Sequence, residues 1–65
     1  MHRSQLIEQK QQVIAQIQRA RQELERLRGQ SDRRSQQRVR ELEAQLDRLM
    51  AEEHRLRMEI DRTRD

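Results

Sequence analysis

Cysteine, proline, phenylalanine, tryptophan and tyrosine are all missing from this chain, and glycine occurs once, at position 29. Each absence removes a class of answer. Without cysteine there is no disulfide staple and no thiolate metal site, and the redox compartment cannot be read. Without proline nothing in the composition forbids long helices. Without aromatic rings there is no platform on which the bases of a single nucleic-acid strand could stack. Long apolar runs are missing as well. None exceeds the length of Val13-Ile14-Ala15, against the ~20 apolar residues of a membrane span. The N-terminus lacks the apolar stretch of a secretory signal, so the expected location is intracellular and cytoplasmic.

What remains is polar: 31% of the 65 residues are apolar and 42% charged, too lean a mixture for a globular core. Such polarity first suggests disorder. Against that, the commonest residues (Gln, Arg, Glu, Leu, Ala) are strong helix formers, the composition of coiled coils and long helices.

The spacing of the apolar residues also speaks for helix. From the N-terminus a 4-3 repeat runs through Leu6, Lys10, Val13, Ile17, Ala20, Leu24 and Leu27. Leu6, Val13, Ala20 and Leu27 take the d position of a heptad, and Lys10, Ile17 and Leu24 the a position. A second stripe runs through Val39, Leu42, Leu46, Leu49, Glu53, Leu56 and Ile60, with Val39, Leu46, Glu53 and Ile60 at a. The two stripes are one residue out of phase, so a single continuous helix would rotate its apolar face by about 100° across the middle. Laid antiparallel, however, they match layer by layer. Leu27 faces Val39, Leu24 faces Leu42, Ala20 faces Leu46, Ile17 faces Leu49, Val13 faces Glu53, Lys10 faces Leu56 and Leu6 faces Ile60. The only two charges on the stripes, Lys10 and Glu53, fall in adjacent layers, where they can pair and fix the register.

Between Leu27 and Val39 there is no apolar residue. Arg26 and Arg28 suit the negative end of a first helix, Gly29 suits the left-handed residue that often follows one, and Ser31 or Asp32 can cap a second. The fold class expected is therefore all-α, a single antiparallel two-helix coiled-coil hairpin. Helix one covers about 3–28, a turn about 29–32, and helix two about 33–63. Two unbroken helices lying antiparallel as a dimer would make the same pairs between chains; the phase slip and Gly29 favour the hairpin.

Two helices of this size are marginal without a staple or an oligomer. A further apolar stripe flanks the seam at the e positions: Ile7 and Ile14 in helix one, Met50 in helix two. On the other flank, the g positions Gln9, Gln16, Glu23, Gln45, Glu52 and Glu59 are polar. The expectation is a second interface at Ile7, Ile14 and Met50, through which the chain self-associates as a four-helix bundle or antiparallel dimer, or takes a partner helix.

Sites for chemistry are scarce. The carboxylates are spread along exposed faces, and a thin hairpin encloses no pocket, so no enzyme activity, cofactor, metal or small-molecule substrate is expected. His2 and His54 have too few neighbouring ligands for zinc. The turn region is strongly basic: Arg26, Arg28, Arg33, Arg34, Arg38 and Arg40 stand against one acid, Asp32. That tip can attract phosphates, so nucleic-acid binding is the alternative to a protein–protein interaction or oligomerisation role. Arg33-Arg34-Ser35 also reads as a basic-directed phosphorylation motif. No residue motif ties the chain to a known family of helical hairpins.

Overall fold

The structure is a computed structural model and describes residues 2–63. Helix α1, His2–Leu27, and helix α2, Arg33–Arg62, pack against each other, and among the described residues there is no strand. The molecule is a rod of 51 × 14 × 11 Å with a radius of gyration of 15.0 Å. A compact domain of this length would have a radius of about 11 Å. A rod this thin has one line of interior positions and no second layer.

That line is filled as helical periodicity requires. Val13, Ile17 and Ala20 of α1 pack with Leu42, Leu46, Leu49 and Leu56 of α2 in one buried cluster, and Ile60 is also buried. Leu42 and Leu56 are the most enclosed, at 2% exposure. A fully buried leucine contributes about 1.5–3 kcal/mol, and this seam is where the fold obtains most of its stability. Leu6, Leu24 and Leu27 pack against the cluster but stay half-buried, as does Val39.

Helix α2 opens on a designed-looking cap. Asp32 sits in extended conformation (φ −73°, ψ 160°), its carboxylate accepts the Ser35 backbone N–H at 3.3 Å, and its carbonyl accepts the Gln36 N–H at 3.1 Å. The first bond satisfies a donor that a helix start leaves unpaired, and the second begins the helical ladder. At the other end, the Thr63 N–H reaches the carbonyls of Glu59 and Ile60, and its hydroxyl donates to Glu59 O at 2.8 Å.

Helix α1 ends at Leu27, and not in the way its lone glycine suggests. No described residue has positive φ, Gly29 included. The chain leaves the helix through bonds spanning three residues, Arg28 N–H to Glu25 O at 3.4 Å and Gln30 N–H to Leu27 O at 3.0 Å. Such tightened turns satisfy the last carbonyls without a left-handed residue. The expectation of a left-handed Gly29 is thereby overturned. A methyl group at Gly29 would meet nothing within 4 Å.

Candidate interaction surface

The two edges of the seam differ. On the edge formed by the g positions, Arg38 grips Glu23 with two donors: Nε to Oε2 at 2.7 Å and Nη2 to Oε1 at 3.2 Å. Arg38 Nη1 also donates to Glu41 Oε2 at 3.3 Å. The hydrogen bond from Arg38 lowers the Glu23 pKa below the ordinary carboxylate value, and the same bond raises that of Arg38. A planar guanidinium matched to a carboxylate in this way has geometric specificity that a single contact lacks. Among the polar g positions, Glu23 thus links α1 to α2. The signal was present: continuing the second stripe backward puts Arg38 at g, across from Glu23 and of opposite charge.

Further along, Lys10 Nζ lies 4.0 Å from Glu53 Oε1, with both side chains largely covered (27% and 18% exposed). Glu53 is not Lys10's alone, since Arg57 Nη2 donates to the same oxygen at 3.1 Å.

The e-position edge has no comparable ion pair among the described residues. Ile7 is 39% exposed and Met50 41%, while Ile14 is half-buried. Toward the loop the same edge opens into a groove of about 680 Å³, with Leu24, Leu27 and Val39 along it and Arg21 and Glu43 at its rims. The open groove explains why these three seam residues stay half-buried while Leu42 and Leu46 do not. Met58, at 45% the most exposed large apolar side chain among the described residues, stands at an outer f position, away from the seam and both of its flanks.

No known family model, curated protein or solved structure matches this chain.

The tip is less basic than its own residues suggest. Arg38 is committed to Glu23 and Glu41, and Arg28 Nη1 lies 3.4 Å from Glu25 Oε2. These three acids lie just outside the stretch from Arg26 to Arg40 but reach into it. Arg26, Arg33, Arg34 and Arg40 have no carboxylate within 4.0 Å among the described residues. Ser35 is buried, at 6% exposure. Its Oγ lies 2.7 Å from both Asp32 Oδ1 and the Gln30 carboxamide oxygen. A hydroxyl has one proton to donate, and the carboxylate is the stronger acceptor. The contact to Gln30 is then satisfied with the amide turned so that its NH₂ donates. Phosphorylation at Ser35 would set a phosphate against Asp32 in a covered site, so the apparent basic motif is not a usable modification site in the folded chain. Among the described residues no His, Asp and Glu side chains gather as a metal site, and no helix is long and apolar enough to cross a membrane.

Proposed function

We propose that this chain is an antiparallel coiled-coil hairpin acting as a non-enzymatic protein–protein interaction or oligomerisation module inside the cell. The antiparallel reading is supported by pairs far apart in sequence: Glu23 with Arg38, Lys10 with Glu53, and Leu6 lining one hollow with Glu59 and Arg62. The observation that carries the functional reading is the unequal treatment of the two edges. One is bridged by Glu23–Arg38 and carries a smaller hollow of about 210 Å³, while the other leaves Ile7, Met50 and the 680 Å³ groove along Leu24, Leu27 and Val39 open. Area points the same way. A globular monomer of 8.1 kDa exposes roughly 4500 Å², whereas this chain exposes 5701 Å², a surplus of the kind that association removes. The non-enzymatic part rests on the groove being open along one side of a thin rod, with the carboxylates that line it, Glu25 and Glu43, exposed.

A second reading, nucleic-acid binding at the tip, is supported by the four arginines that have no carboxylate within 4.0 Å among the described residues. Sedimentation equilibrium over a range of chain concentrations, with and without duplex DNA or RNA, separates the two. A mass that rises with concentration and ignores nucleic acid supports the module. A monomer that shifts only when duplex is added, with a strong salt dependence, supports the alternative.

A further inference from the structure

We infer that the open edge seats a second copy of this chain, related by a two-fold axis along the rod, so that both loops lie at the same end of a four-helix bundle. The inference rests on the interaction-module reading above and specifies its partner. Arg21 and Glu43 stand at the rims of one groove, the first on α1 and the second on α2. Rotation about the long axis lays α1 of one copy over α2 of the other. Arg21 then meets Glu43 of the second copy on each side, and the four charges alternate in sign around the bundle. The next layer brings Ile14 over Met50 of the second copy, twice. The half-buried Leu24, Leu27 and Val39 of both copies are covered together.

The inverted arrangement, with the two-fold axis across the rod, fails on the same residues. At full overlap it lays Arg21 on Ile14 and Glu43 on Met50 of the second copy, four contacts of a charge with an apolar side chain, against two in the axial arrangement, where Ile7 lies over Arg57 of the second copy toward the termini. Apolar residues at a, d and e, as around Ile14 and Met50 halfway along the rod, are also the pattern of bundle helices; a two-stranded coil needs only a and d. The area is adequate. Each helix with its side chains is ~10 Å across, wider than the backbone trace alone, so a face ~40 Å long and two helices (~20 Å) wide offers roughly 800 Å² per copy, that of a standard stable interface.

The test uses the full chain, which has no native cysteine. Sedimentation equilibrium of the parent should give twice the chain mass at tens of micromolar. Arg21→Glu puts four acids in one layer and should weaken dimerisation at least about 100-fold. Adding Glu43→Arg should restore most of it. Circular dichroism at a fixed, high chain concentration checks that each variant still folds. Chains carrying Ser31→Cys, labelled separately with donor and acceptor and then mixed, should show efficient transfer between loops. A fully helical monomer would overturn the second copy as partner while leaving a role with another protein standing. A dimer with weak loop-to-loop transfer would overturn the orientation. Dyes at positions 2 and 62 of one chain guard the underlying reading. Weak transfer there means a straight helix, and the hairpin itself falls.

Discussion

At position 35 a hydroxyl occupies a place where the pattern calls for an apolar side chain. Counting back one heptad from Leu42 lands on Ser35, which is as well buried as the leucines that follow. It works as the first layer of the seam and as part of the Asp32 cap at once. Ser35→Ala keeps the backbone donor to Asp32 and removes only the side-chain bonds, so a loss of about 1 kcal/mol is expected. In a chain of this size that lowers the melting temperature by about 4–8 °C at fixed concentration. Asp32 and Glu23 also set an acid limit. The Ser35 hydroxyl and backbone N–H hold the Asp32 pKa below its ordinary value, and the Arg38 hydrogen bond does the same for Glu23. A carboxylate whose pKa falls on folding stabilises the fold fully above its unfolded value, and that contribution disappears as pH drops through the folded one. The contribution of these two carboxylates should therefore be fully present at neutrality and fade below about pH 4, where their unfolded counterparts take up protons. Denaturant midpoints across this range should show a shallower fall for Asp32→Asn and Glu23→Gln than for the parent.

For the helices, the sequence was most informative where one physical signal ran unopposed. Seven-residue spacing marks which faces of α1 and α2 turn inward, because only an inward face can hold leucine at that period. It says less about ends, where short polar side chains compete for the same orphan backbone groups. Gly29 was legible as a stop and illegible as a conformation, since α1 can close with tightened turns as readily as with a left-handed residue. Gly29→Ala should accordingly be neutral or raise stability by up to about 1 kcal/mol, read as a higher denaturant midpoint at unchanged slope; a marked loss would mean the turn needs glycine after all. Charge pairing between elements was half legible. Lys10 and Glu53 stood out as anomalies on apolar stripes, whereas Glu23 and Arg38 looked like ordinary surface. The structure also makes the Lys10–Glu53 pair unequal, because Arg57 remains with Glu53 if Lys10 is lost. Glu53→Leu should thus destabilise more than Lys10→Leu, and the double variant should be more stable than Glu53→Leu alone. Additive melting shifts would show that the two charges do not interact.

At the scale of the whole molecule, the open and closed edges were only partly visible in advance. The apolar e positions could be read from Ile7, Ile14 and Met50. The groove could not, because it arises from how far Leu24, Leu27 and Val39 fall short of burial, a matter of packing that periodicity does not encode. The arrangement at the loop has a kinetic counterpart. In the proposed hairpin the Glu23–Arg38 bridge spans 15 residues, while Leu6 comes beside Glu59 and Arg62 only when nearly the entire chain has been brought round. The entropy of closing a loop grows with its length, so the first productive encounter belongs beside the turn and the helices then zip toward the termini. Truncations near the turn, such as Leu42→Ala, should slow folding, and truncations near the ends, such as Leu6→Ala or Ile60→Ala, should chiefly speed unfolding. A bridge that looks like a minor surface feature in the finished rod is then an early checkpoint in its assembly, admitting the correct register before the rest of the seam can close.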